Sequence, residues 1–119
     1  MITDENIDDI LCTAFEGGIN YWCSRVEVIG DWFGAKYASE VVSKGGRVKL
    51  INDEEPDREP LTLLKENVVP AIEAIHKRVM DNRGRGRRSS LEEWLEGEYD
   101  AGDADMIVQQ AVFGELVYG

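Results

Sequence analysis

The residues best equipped for chemistry lie in one stretch, His76–Arg88 (HKRVMDNRGRGRR). Lys77, Arg78, Arg83, Arg85, Arg87 and Arg88 make up six of the chain's thirteen Lys and Arg residues. A guanidinium is a planar fork of donors that meets two phosphate oxygens at once, and glycines between arginines let the backbone bend around a ligand. Arg83, Arg85, Arg87 and Arg88 therefore read as a phosphate-holding loop for a small nucleotide-type ligand. Such a site needs a ring for the base, where stacking contributes about 1–3 kcal/mol. Trp22 and Tyr21 are the candidate rings, with Trp32 and Phe33 as further aromatics. The same arginines also fit a solvated loop that offsets an acidic surface, and Trp22, among apolar neighbours, also fits a core.

No catalytic set stands beside this loop. His76 is the single histidine, in a helical stretch between Ile75 and Lys77. The chain has no GxSxG, no GxxxxGK[ST] and no HExxH, so the commonest nucleophile, phosphate-loop and zinc-hydrolase patterns are missing. Asp100, Asp103 and Asp105 start like a calcium loop, which needs Gly at position six and Glu at twelve; those positions hold Asp105 and Ala111. Helix capping explains these carboxylates better. The expectation is a protein without catalytic residues, metal or cofactor; an enzyme using scattered carboxylates is the last of three readings.

Charge supplies the other candidate surface. Twenty-four acidic residues against thirteen basic ones give a net charge of −11. That excludes general binding to DNA and to anionic membrane, both of which require a basic face. It permits competition with nucleic acid for another protein's basic groove. Asp4, Glu5, Asp8 and Asp9 flank the first expected helix, Asp53–Glu59 is an acidic loop, and Glu92, Glu93, Glu96, Glu98 and Asp100 gather before the last element. If several share a side, they can imitate a row of phosphates.

The elements that must position these groups follow from pattern. Thr3 caps a helix whose Ile7, Ile10, Leu11, Ala14 and Phe15 fall on one face, with Gly17–Gly18 as its stop. Arg25–Ile29 and Arg47–Ile51 alternate polar with apolar and read as strands, plausibly paired, with Tyr21 and Trp22 at the entrance of the first. Ala38–Ser43 is a short helix ended by Gly45–Gly46, and Asn52–Pro60 is a surface loop. Thr62 reads as the cap of a long amphipathic helix running from Leu63 to Val79, with Pro70 kinking or restarting it. Ser90 and Glu93 form a capping box for a short helix through Trp94 and Leu95. Asp103 caps a closing helix, Gly114 ends it, and Leu116–Tyr118 is an extended tail. This end is apolar enough to demand burial, in the core or against a second copy, so a homo-oligomer is expected. The order is mixed, and about four helices with a short antiparallel sheet make an α+β fold of one domain, 1–119. Cys12 and Cys23 are read as reduced thiols. The acidic N-terminus is unlike a secretory leader, and no apolar run approaches the roughly 20 residues that span a bilayer. A cytoplasmic protein without membrane contact is expected.

Two segments, TAFEGGINYWC (Thr13–Cys23) and DADMIVQQAVFGELVYG (Asp103–Gly119), together with YASEVVSKGGRVKL (Tyr37–Leu50), resemble a group of small, functionally unassigned proteins from phages, prophages and the mobile DNA of gut Firmicutes-type bacteria. The middle, Asn52–Tyr99, is not covered. The resemblance implies a bacterial host cell and a context in which small acidic non-enzymatic proteins look like counter-defence factors. It transfers no site residues. Two binding functions suit that context: sequestering a nucleotide immune signal, or blocking a CRISPR effector or other nucleic-acid-binding host protein by mimicry.

Overall fold

Thr3 opens the first helix by pairing with Asn6. Its hydroxyl accepts from the Asn6 N–H at 3.1 Å and Asn6 Oδ1 accepts from the Thr3 N–H at 2.9 Å, satisfying two donors that a helix start leaves open. The computed structural model describes residues 1–52, 55, 57 and 59–119, so the expected Asn52–Pro60 loop lies partly outside the described residues. Helix α1 (Asp4–Thr13) buries Ile7, Ile10 and Leu11 completely, and Ala14 just beyond its end. The glycines do not stop it at once. The chain winds on through a wide π turn, Ala14–Gly18, before reaching Ile19. Gly18 sits where an added Cβ would lie 2.7 Å from the Ala101 carbonyl oxygen, so this glycine permits the close approach of α1 to the last helix.

The sheet is antiparallel, in the order β1 (Arg25–Ile29), β2 (Arg47–Ile51), β3 (Leu61–Leu63). Its register pairs Arg25 with Ile51 and Ile29 with Arg47. Alternation along β2 turns Val48 and Leu50 into the core, while Lys49 lies opposite Glu27 with 3.7 Å between their charged atoms. Between β1 and β2, the expected helix is two 3₁₀ turns, Ala38–Glu40 and Val42–Lys44, ended by Gly45 at φ 92°.

β3 corrects the reading of Thr62. Thr62 pairs with Lys49 in the sheet, and helix α2 begins at Lys65 with Leu64 in the capping position and no side-chain cap. Three residues of strand are too short for alternation to be seen, and the Leu63–Leu64 pair suits either periodicity. α2 (Lys65–Arg83) runs through Pro70 without ending. The box of Ser90 and Glu93 opens α3 (Leu91–Glu93), which widens into a second π turn, Trp94–Glu98. The last helix, α4 (Ala101–Phe113), is capped by Asp100 rather than Asp103. The Asp100 carboxylate accepts from the Asp103 N–H at 2.8 Å, and the Asp103 carboxylate accepts from the Asp100 N–H at 3.1 Å. Two aspartates three apart make either one a candidate cap; the backbone geometry chose the first.

α4 packs against α2, the π turn of α1 and β3, and its Ala104, Ile107 and Val108 are fully buried. One hydrophobic cluster joins helices and sheet and includes Trp22, Met80 and Trp94. The fold is α+β. No helix among the described residues is long and apolar enough to cross a membrane.

Candidate functional site

Trp22 and Tyr21 meet at a buried carboxylate. Asp105, 7% exposed on α4, accepts from the Trp22 indole N–H at 2.7 Å, the Tyr21 hydroxyl at 2.6 Å and the Gln109 amide at 3.0 Å. Three donors compensate its loss of water, as a buried charge requires. Desolvation of the Tyr21 hydroxyl, then the hydrogen bond and charge of Asp105, push its pKa up to about 12. Gln109, fully buried, also uses its carbonyl oxygen to accept from Val117 N–H and Tyr118 N–H, both at 2.8 Å. The tail is thereby strapped to α4. Tyr118 lies parallel to Trp22, with ring centroids 5.4 Å apart, and Phe113 closes on the same indole at 5.5 Å. Trp22 is 5% exposed, whereas the ring of Tyr21 stands largely in solvent at 55%. Phe113, Leu116 and Tyr118 of the apolar C-terminus pack on the core of their own chain, while Val117 is 44% exposed.

The arginines occupy another part of the surface. Gly84 at φ 77° and Gly86 at φ 82° shape the loop after α2. Arg83 donates to Glu98 at 2.9 Å and Arg88 to Asp81 at 3.2 Å, so two of the four guanidiniums already hold carboxylates. Those pairings hold the Glu98 and Asp81 carboxyls below the usual range. Arg85 and Arg87 are exposed and make no hydrogen bond or ion pair among the described residues. Arg83 and Arg87 line a shallow depression of about 430 Å³ with Ser89 and Glu98, and no aromatic ring borders it. Trp22 lines a separate depression with Tyr118, Phe113 and Glu55, and no arginine borders it among the described residues. His76 anchors the loop: its Nε2 lies 2.9 Å from the Ser89 carbonyl oxygen, and its ring sits 5.4 Å from that of Trp94.

The acidic residues of α1 have mixed surroundings. Asp4 pairs with Lys65 at 2.8 Å, and Asp8 accepts from the Ser43 hydroxyl. Asp9, Glu16, Glu40 and Glu96 make no ion pair among the described residues. Asp9 and Glu16 belong to one side of α1 and its π turn, Glu40 comes from the first 3₁₀ turn, and Glu96 from the turn after α3, sharing a cleft with Asp9. Cys12 stands among them. Burial raises its thiol pKa first, and Glu16, Asp9 and Glu40 raise it further through their negative field. Cys23 is raised by burial as well, so both thiols are poor nucleophiles at neutral pH. Among the described residues, no three His, Cys, Asp or Glu side chains are grouped to hold a metal.

Sequence reasoning named Tyr21 and Trp22 but missed their partners Asp105 and Gln109, which are four residues apart on α4 and so share a helix face. That spacing was the available signal. It gave no hint of Cys12 as the point where α1's carboxylates meet Glu40. Trp94 carries a further buried group: its Nε1 is sealed without a well-formed hydrogen bond among the described residues, although it lies near enough to the Asp103 carboxyl to favour its charged form, and that carboxyl is raised, chiefly by burial. Neither a family model, nor a curated protein, nor a solved structure matches this chain.

Proposed function

We propose that the protein acts by binding alone, as a counter-defence accessory protein of the phage or prophage type that its segments resemble. Its α1 side occupies a basic, nucleic-acid-binding surface of a host defence protein, such as a CRISPR effector, where its carboxylates take the place of phosphates. One observation carries this reading: Asp9, Glu16 and Glu40, from two elements, all bear on Cys12 and have no basic partner among the described residues. Like charges held together without compensation cost stability, so a partner of opposite charge gains by covering them. The test is binding of the intact protein to a panel of purified CRISPR effectors and DNA-binding nucleases at low and high salt. Binding should fall steeply with salt and be displaced by DNA. Absence of binding, or association indifferent to salt, overturns it.

A second reading, sequestration of a nucleotide immune signal, rests on Arg85 and Arg87, which make no ion pair among the described residues and stand on a glycine-shaped loop with Arg83 and Arg88 beside them. Tyr21 is the exposed ring that it would use, with Trp22 behind, and Val117, 44% exposed, is the tail residue left to join copies. Calorimetric titration with cyclic dinucleotides, cyclic trinucleotides and cyclic ADP-ribose isomers tests it; silence from a folded sample removes it.

A further inference from the structure

Between β1 and the first 3₁₀ turn, the chain holds large rings out of the core: Trp32 is 45% exposed and Phe33 48%. A single exposed ring is ordinary, but these two neighbours stand on a built turn. Asp31 Oδ1 accepts from the Phe33 N–H at 2.8 Å, and the Trp32 carbonyl accepts from the Ala35 N–H at 2.9 Å. Phe33 takes φ 52°, alone among the described non-glycine residues in the left-handed region, which costs a bulky side chain free energy. That ring lies over Gly46, where an added Cβ would stand 3.2 Å from Phe33 Cε2. Strain is thus kept at a ring that remains half in solvent. Tyr37, also exposed, differs: Lys36 Nζ already lies over its ring, 5.3 Å from the centroid.

Cations gather at the same turn. Gly46 lies between Lys44 and Arg47 in the chain, and Arg47 faces Ile29 across β1 and β2. Lys36, Lys44 and Arg47 are exposed and make no ion pair among the described residues. Residues 31–47 carry three cations against two carboxylates, in a chain of net charge −11. Both carboxylates face backbone, Asp31 toward Phe33 and Glu40 toward the Tyr37 N–H at 3.1 Å. Among the described residues, the depression at Arg83 and Arg87 has cations without rings, and that at Trp22 has rings without arginine or lysine. At Trp32 and Phe33 the two come together.

We propose that this turn binds single-stranded nucleic acid, with bases stacked on Trp32 and Phe33 and phosphates held by Arg47, Lys44 and Lys36. A single strand offers unstacked base faces with a phosphate at each step, and an aromatic platform flanked by cations answers both. A duplex hides those faces and gains nothing from the rings. The charge of −11 opposes any anion, but beyond about 8 Å charges are largely screened at physiological salt. The molecule measures 44 × 31 × 21 Å, so a strand of a few nucleotides feels mainly the turn, whereas an anionic bilayer is an extended plane that meets more of the acidic surface. The assignment goes beyond both readings above and depends on neither.

The experiment is fluorescence anisotropy of a labelled deca-thymidylate strand with the whole protein at low salt, beside a duplex of the same length and vesicles of phosphatidylserine and phosphatidylcholine. The single strand should bind about tenfold more tightly than the duplex. Its binding should quench tryptophan emission, and Trp22 and Trp94 are buried, so the signal belongs to Trp32. Trp32→Ala and Phe33→Asn should each weaken binding about fivefold or more, Asn being tolerant of the left-handed backbone. Arg47→Gln should lower the slope of log affinity against log salt by about 0.7. Arg85→Gln combined with Arg87→Gln should leave the affinity within about twofold, since that loop lies outside the assigned surface. Circular dichroism checks the fold of each variant. No binding of the single strand, vesicle binding in its place, equal binding of the duplex, or strand binding that survives both ring variants overturns the proposal and leaves the acidic-surface reading standing.

Discussion

Carboxylates occur in two opposite settings in this molecule. At Asp105 the fold supplies every donor: an indole, a phenol and an amide surround one buried aspartate. On the side of α1 the fold supplies few: Glu40 accepts from the Tyr37 N–H at 3.1 Å, Glu16 meets the Cys12 thiol, and Asp9, Glu16 and Glu40 make no ion pair among the described residues. The difference separates structure from function. A carboxylate whose donors are all supplied inside holds the protein together, while the α1 carboxylates are the ones that the proposed function assigns to a basic partner.

The comparison breaks most sharply at Asp105. Asp105→Ala strands the buried Trp22 N–H and frees Gln109, and should cost about 3 kcal/mol in urea denaturation. A cost below about 1 kcal/mol would show that the network is ornamental. Gln109→Leu should come next, at about 2 kcal/mol, because two tail N–H groups lose their acceptor. Hydrogen exchange at Val117 and Tyr118 should then rise with little change in α2. Tyr21→Phe should cost about 1 kcal/mol at neutral pH, since one hydroxyl hydrogen bond to Asp105 is lost. Its pH dependence sharpens the point. The phenol is held at about 12 against 10.0 ordinarily, so its contribution is complete below pH 10 and is lost as pH rises through 12. Denaturation midpoints of wild type should fall more steeply across that window than those of Tyr21→Phe.

The smallest effect belongs to the other setting. Asp9→Asn, Glu16→Gln and Glu40→Gln combined should change stability by no more than about 0.5 kcal/mol, and upward if at all. In a Cys23→Ala background, the same changes should lower the pH at which Cys12 reacts with a thiol reagent, because three negative charges that favour its protonated form are gone. An unchanged thiol titration would mean that these carboxylates do not converge.

Much of the fold was legible because local physics decides it. Thr3 with Asn6, and Ser90 with Glu93, cap their helices through side chains three residues apart. Val48 and Leu50 alternate into the core as a strand's period demands. β3 was not legible, because Leu61–Leu63 pairs only with a strand already in place and carries too few residues to show a pattern. The site divides the same way. Arg85 and Arg87 on their glycine loop could be named from type and spacing, but that Arg83 would spend its fork on Glu98, fifteen residues on, could not.

Sequence alone determined the acidic balance, the α+β order of elements and the rings at Tyr21 and Trp22, since composition, periodicity and capping act within a few residues. Only the tertiary structure decided that Trp22 turns inward to a carboxylate eighty-three residues away, and that Glu40 comes near the α1 carboxylates around Cys12. Those meetings depend on how helices and sheet pack, and contacts between distant segments leave no periodic trace in the chain that makes them.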